Sequence, residues 1–292
     1  MKKGQIENIY YRSINKAIDY INQHYSEKIT LEMLANEGCF SSWHFHRIFC
    51  GIVGETPNEY LKRIRLEKAV MLMDRNHSIT EIALSTGFAN SSHFSQSFRK
   101  QYHISPKQWS KQKVHNFTDQ TDYLKKKRFD QEITYTVQNI STFPIAYIRH
   151  IGSYDKNIGS VWRTIMSWAR KNDLVTDSSI RLSYSWDSPD ITPDGKLRYD
   201  ACISLPFSFN ITDSLQNGAP VSFRSIEGGR YVVFPFKGNI DQLTAFYDSV
   251  FGDVLPETSF RLGEAPGYRV HFESGAEQAL GICRQELWVP LL

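Results

Sequence analysis

The hexapeptide HFHRIF, starting at His44, returns 49 residues later as HFSQSF, starting at His93, with only the residues between its two phenylalanines changed. TPNEYLK from Thr56 returns as SPKQWSK from Ser105 at the same spacing. LEMLANEGCF (31–40) is echoed by ITEIALSTGF (79–88) at a spacing of 48, so one residue is gained between Phe88 and His93. Self-similarity this regular means two copies of one supersecondary unit. It restricts the first hundred residues to a duplicated motif built from local contacts.

Each copy reads as helix, tight turn, helix. Leu31, Leu34 and Ala35 form an apolar face at i, i+3, i+4, and Ile79, Ile82 and Ala83 repeat it. Turns follow at NEGCFSS and STGFANSS, with second helices over about 42–50 and 91–101. Gly87 supplies the positive φ that such a turn needs; the first copy has Cys39 at that position and Gly38 one place earlier. Phe45 and Phe49 lie one helical turn apart, as do Phe94 and Phe98, and both pairs are expected to face inward. The outward faces then carry Trp43, His46, Arg47 and Cys50 in the first copy and Ser92, Ser95, Gln96 and Arg99 in the second. Long or hydroxylated donors on the second helix of a helix-turn-helix suit the major groove, Arg47 matching a guanine edge and Gln96 an adenine edge. Between the copies, Thr56 and Pro57 open a helix over 57–73, a rod of about 25 Å on which Lys62, Arg63 and Arg65 are candidate phosphate contacts.

These motifs, above all IALSTGF…SHFSQSFRKQYHISP, resemble the DNA-binding domain of AraC/XylS-type transcription regulators over residues 8–112. The resemblance implies sequence-specific binding to double-stranded promoter DNA, and contact with RNA polymerase. By position, the family's base-contacting residues correspond to Trp43, His46 and Arg47, then to Ser91, Ser92, Ser95 and Gln96. The second helix is poor in long donors, which points it toward phosphate. Two reading heads in one chain make a monomer or weak dimer sufficient.

The charge balance changes along the chain. Residues 1–112 hold 15 Lys/Arg against 10 Asp/Glu and residues 131–292 hold 14 against 18, which fits a polyanion partner for the front alone. The stretch 113–130 is polar and aperiodic and reads as a linker, its KKKR run (125–128) solvated or near phosphate. The four cysteines are scattered, so neither zinc nor disulfides are expected, and the chain carries no signal for a cofactor. The polar start and the lack of a long apolar run predict neither signal peptide nor membrane span, and a cytoplasmic, nucleoid-associated protein.

From residue 131 the period changes to that of strands: ITYTVQNI, PIAYIRHIG, YDACISLPF, RYVVFPFKG, GYRVHFES and RQELWVPLL. KNIGSVWRTIMSWARKN and IDQLTAFYDSVFGDVLP read as helices. Strand AYIRHIG and its helix are matched by strand VVFPFKG and its helix, which predicts an α+β domain with a pseudo-two-fold sheet. The order of PIAYIRHIGSYDKNIGSVWRTIMSWA, LRYDACISL, GGRYVVFPFKG and ELWVPL resembles the GyrI-like effector-binding domain over 131–292, and implies two strand–helix–strand units around a cleft for small, often cationic or amphipathic, molecules.

In the last strand Leu287, Val289 and Leu291 share one face, and Glu286 and Trp288 the other. A carboxylate beside an aromatic ring favours an organic cation. Tyr147, Tyr154, Trp162 and Tyr199, with Arg149 and Phe234, are the candidate walls of that cleft. The reading that follows is a ligand-responsive transcription regulator and not an enzyme. A small-molecule hydrolase using Glu286 with a nearby tyrosine, or a drug-sequestering protein, are the alternatives.

Overall fold

The structure is a computed structural model describing residues 3–73, 77–111, 129–189, 191–209, 220–263, 267–273, 277 and 279–292. The chain divides after Leu124 into two compact units, with Ile191 and Thr192 counted in the first.

The first unit is helical: α1 (Lys3–His24), α2 (Leu31–Glu37), α3 (Ser42–Val53), α4 (Pro57–Leu72), α5 (Ile79–Ser85) and α6 (Ser91–Tyr102). From α2 onward each helix opens on a side-chain cap, with Thr30, Ser41, Thr56, Ser78 and Asn90 accepting from a backbone N–H of the first turn. Each such cap contributes about 0.5–2 kcal/mol, which matters most for α2 and α5, only seven residues long. Phe45, Phe49, Phe94 and Phe98 are all fully buried, so the repeated frame is the part that anchors α3 and α6.

The two turns close alike, Phe40 N–H donating to the Ala35 carbonyl and Phe88 N–H to that of Ala83, each at 2.9 Å. Gly87 takes the left-handed backbone at φ 82°, and in the first copy Cys39, not Gly38, takes it at φ 57°. The extra residue of the second copy is Ala89: Ser41 caps α3 straight after Phe40, whereas Asn90 caps α6 two residues after Phe88.

Two of the three basic residues expected to meet phosphate are otherwise engaged. Arg63 is buried between Glu55 and Glu67, at 2.6 and 2.9 Å, because α4 is packed on most of its circumference and a buried guanidinium needs carboxylate partners. Arg65 donates to the carbonyls of Tyr25 and Glu27, both at 2.7 Å, and so pins the loop after α1. Lys62 stays half-exposed. The pinned loop lies against the second turn: a Cβ on Gly87 would come within 2.8 Å of the Ser26 carbonyl and 2.9 Å of that of Tyr25.

The second unit has eight strands: β1 (Thr136–Ile140), β2 (Phe143–Ile151), β3 (Arg181–Ser185), β4 (Arg198–Ser204), β5 (Ser222–Ile226), β6 (Gly229–Gly238), β7 (Tyr268–His271) and β8 (Cys283–Pro290). Helix α7 (Ile158–Lys171) follows β2, and α8 (Ile240–Ser249) follows β6. All pairings are antiparallel in the order β1-β6-β8-β7-β3-β4-β2-β5. Read from the β3–β7 pair outward, the order is a pseudo-two-fold: β3, β4, β2, β5 on one side mirror β7, β8, β6, β1 on the other. The outermost strands are exchanged, because β1 precedes β2 yet pairs with β6, and β5 precedes β6 yet pairs with β2.

Each exchanged strand reaches its sequence neighbour across two residues, 141–142 and 227–228, so the two ends of the sheet must meet. They do: Gly228 N–H donates to Thr142 Oγ1 at 2.9 Å, and a Cβ at Gly228 would lie 2.6 Å from the Thr142 nitrogen. The sheet therefore curls, enclosing one face and leaving the other to the helices. Val161, Ile165 and Trp168 of α7 pack on Ala146, Ile148, Ala201 and Ile203, and α8 packs on Val232, Phe234, Leu287 and Val289. Ile145, Tyr147, Leu182, Tyr184, Tyr231, Val233, Tyr268 and Trp288 fill the inside of the curl.

Most of the linker expected over 113–130, including KKKR, lies outside the described residues. Its end belongs to the second unit, since Phe129 stacks with Phe246 at 5.4 Å and its N–H donates to Ser249 Oγ.

Gly87→Ala is expected to destabilise the first unit by more than the ~1–2 kcal/mol of a left-handed alanine, because backbone atoms block its Cβ. Thermal unfolding of the variant checks this, with Cys39→Ala, expected to be mild, as the control.

Candidate DNA interface and effector site

The N-cap of α3 turns Trp43 outward at its second residue, where it is 64% exposed. Arg47, one turn on and also exposed, places its Cζ 5.0 Å from the Trp43 ring centroid. The pair is preorganised by cation–π attraction, with the guanidinium edge left for a partner. His46 is half-buried: its Nδ1 lies 3.8 Å from Cys50 Sγ, and its ring lines a groove of about 310 Å³ with Leu31, Leu34 and Pro57. On α6, Ser92, Gln96 and Arg99 are exposed and Ser91 and Ser95 half-buried, one face with one long amide and one guanidinium. Arg99 and Lys100 sit in the last turn of α6, where the helix dipole favours positive charge.

In the second unit, strand alternation splits the expected cleft walls in two. Tyr147, Glu286 and Trp288 lie on the enclosed face, and Trp288 Nε1–H donates to Glu286 Oε2 at 2.7 Å. Tyr154, Trp162 and Tyr199 do not. They pack on the helix face, with Trp162 Nε1–H donating to the Tyr199 hydroxyl at 2.9 Å and the Tyr154 hydroxyl donating to the carbonyls of Asp187 and Arg198. The reason is parity: Tyr199 stands between Arg198 and Asp200 on β4, and α7 brings Trp162 down onto the side opposite theirs. Phe234 is likewise helix-side core, and Arg149 is on the enclosed face.

Three residues that matter there come from β3 and its continuation and from β5, neither read as a strand from sequence. Asp200, with no exposure, takes a two-pronged contact from Arg149 (Nε–H to Oδ1 2.7 Å, Nη2–H to Oδ2 2.8 Å). It also accepts from Trp186 Nε1–H at 2.8 Å and faces Arg224 Nη1 at 3.0 Å. Burial alone would raise this carboxyl; Arg149 and Arg224 outweigh it and hold Asp200 below the usual range, hence ionised. Arg224 lies over Tyr147, Tyr184 and Trp186, 4.7, 5.2 and 5.0 Å from their ring centroids. Glu286 lines a groove of about 570 Å³ together with Lys237, Arg284 and Phe272, and Arg284 Nη2 there lies 3.4 Å from Glu277 Oε2. The carboxylate on which the expectation of a cationic ligand rested thus shares its groove with two cations.

A family model described as a GyrI-like small molecule binding domain matches residues 133–292, more than half of the chain. The chain belongs to the GyrI-like family. A second model, a helix-turn-helix domain, matches residues 34–112. Among curated relatives, the HTH-type transcriptional regulator YbfP of Bacillus subtilis is 37% identical over 98 residues, 33% of either chain. The HTH-type transcriptional activator RhaS of Salmonella schwarzengrund is 37% identical over 95 residues, 32% of this chain and 34% of that protein. The chain thus covers about a third of the length of the curated relatives it matches. Among solved structures, an AraC-type regulator from Chromobacterium violaceum is 26% identical with a TM-score of 0.33, over 34% of this chain and 90% of that one. The EcmrR C-terminal domain is 13% identical with a TM-score of 0.44, over 56% and 99%. No helix among the described residues is long and apolar enough to cross a membrane.

The helix side of the GyrI-like sheet holds one arrangement with the look of a nucleophile and its base, which the sequence reading did not detect because its members stand on different strands. Ser183 Oγ lies 2.8 Å from His271 Nε2, and His271 Nδ1 lies 3.3 Å from Glu273 Oε1. Ser183 has no exposure and the Trp162 ring stands 5.2 Å from His271, so among the described residues the hydroxyl is covered. The relay ties β3 to β7, the pair at the centre of the pseudo-two-fold.

Burial pushes the His271 imidazole below its ordinary value of 6.5, against the pull of Glu273, and Arg269 and Arg181 push the same way as burial. The folded imidazole then binds its proton less readily than the unfolded one, so this contribution to stability is complete above 6.5 and declines as the pH falls below it. Glu273 is favoured by burial toward the neutral acid but held lower by His271, so its contribution is lost only further into acid. Thermal unfolding of the second unit is therefore expected to shift to lower temperature between about pH 7 and about pH 5.5, and His271→Gln to flatten that slope.

Proposed function

We propose that the chain is a sequence-specific transcription regulator that reads promoter DNA with α3 and α6 and binds a small-molecule effector on the enclosed face of its GyrI-like sheet. The Trp43–Arg47 pair carries the DNA half. An exposed ring with a guanidinium stacked on it, on a helix whose other face is locked by Phe45 and Phe49, presents a planar donor fork matched to a guanine edge. Trp43 supplies the apolar contact for a thymine methyl, and His46 adds a hydrogen bond at the groove side. On α6, Gln96 is the one long amide for an adenine edge, and Ser91, Ser92, Ser95 and Arg99 hold the backbone in register. Two such helices in one chain let a monomer occupy a promoter site, where the bound regulator meets RNA polymerase in the cytoplasmic nucleoid.

We place Tyr147, Glu286 and Trp288 in the effector site, with Tyr184 and Trp186 beside them on the same face. Tyr154, Trp162 and Tyr199 serve α7 packing instead. The hydrolase alternative loses ground on two counts: Glu286 is engaged by a tryptophan N–H and not by a tyrosine, and Ser183 is covered among the described residues.

Arg47→Ala is expected to relax the preference at one base pair by about 1–3 kcal/mol while leaving binding to unrelated DNA nearly unchanged. Competition gel shifts over a base-scanned site, at two salt concentrations, measure this. An equal loss on every sequence would make Arg47 a phosphate contact only.

A further inference from the structure

On the enclosed face, an acid stands among rings, the arrangement that recognises organic cations, and a cation from the chain itself is already in it. Arg224 comes from β5, the exchanged edge strand, opposite Ile145 of β2. Its guanidinium carbon lies within 5.2 Å of the centroids of Tyr147, Tyr184 and Trp186, and its Nη1 is 3.0 Å from Asp200 Oδ2. Three aromatic faces and a carboxylate around a planar cation are what a guanidinium or amidinium ligand would ask of a receptor. The acid has little left to offer a second cation. Arg149 grips both of its oxygens and Trp186 donates to Oδ2. Arg224 has the most exposed side chain of the charged trio, 17% against 1% for Arg149 and none for Asp200, but both of its terminal nitrogens are buried, so the cation itself sits inside the arrangement.

We propose that Arg224 is the specificity-determining residue of the enclosed face: it occupies the aromatic cation site in place of a ligand, so that this face excludes organic cations and takes neutral or anionic effectors. The proposal rests on the reading of this face as the effector site and adds the charge class of what enters it.

The test is chemical rescue on the full chain. Methylguanidinium and benzamidinium are titrated at millimolar concentration into wild type, Arg224→Ala, Arg224→Lys and Arg224→Ala/Asp200→Asn. Binding is read by calorimetry and by the shift in thermal unfolding. Arg224→Ala is expected to bind both cations at least about tenfold more tightly than wild type and to gain unfolding temperature from them. The lysine variant, which keeps a cation in the cage, and the double variant, which lacks the acid, are expected to resemble wild type. Equal binding by wild type and Arg224→Ala overturns the proposal, and so does equal binding by Arg224→Lys and Arg224→Ala. No rescue of Arg224→Ala also overturns it, since a chain weakened by loss of its internal cation must recover when a cation is returned. Absence of any effector for the wild-type chain in a panel of neutral and anionic aromatics would instead remove the ligand-responsive reading and leave the rescue result intact.

Discussion

Asp200 is ionised where water does not reach. A bare carboxylate moved to such a place would cost several kcal/mol even after the surroundings relax, and it persists only with cations and donors arranged around it. Arg149 and Arg224 supply the charge, Trp186 supplies the N–H, and the rings of Tyr147 and Tyr184 support the guanidinium that would otherwise be poorly solvated. These side chains come from β2, from β3 and the residue following it, and from β5, around an aspartate on β4. Satisfying one aspartate thus fixes the register of β2, β3, β4 and β5 on their enclosed side. A second buried pair, Arg198 with Asp187, extends the same solution to the end of β4.

The front unit solves a smaller version of this problem. Arg63 sits inside α4 with Glu55 and Glu67, and its neighbour Arg65 holds the loop after α1 against the Gly87 turn. Of what looked from sequence like a row of phosphate-binding charge, Arg63 and Arg65 are internal scaffold of the unit bearing Trp43, Arg47 and Gln96, while Lys62 stays half-exposed. Positive charge on a helix is informative about a ligand only once its burial is known, and burial depends on how many sides of the helix are packed.

Much of the architecture was legible because it is written in short-range periodicity. The repeated phenylalanines, the Thr56–Pro57 helix start, six of the eight strands, α7 and α8 are all readable at spacings of 1 to 4 residues. β3 and β5 were not, because RLSYS and SFRSI devote alternate positions to charge and hydroxyl that find partners only across the sheet. Missing them hid Tyr184, Trp186 and Arg224, and with them the charge balance of the enclosed face. The same blindness to strand parity placed Tyr199 beside Tyr147 when they point to opposite sides. Sequence names the residues that can bind; which side of a curled sheet they occupy is decided by pairings dozens of residues apart.

The exchange of β1 and β5 between the two halves of the sheet has a bearing on descent. Each half contributes the rim strand of the other, so a single half would present a raw edge and an open apolar interior, and so would fail as a free-standing ancestor in its present form. Two copies that have traded margins in this way are inherited together. A substitution at either border is therefore felt by both halves at once.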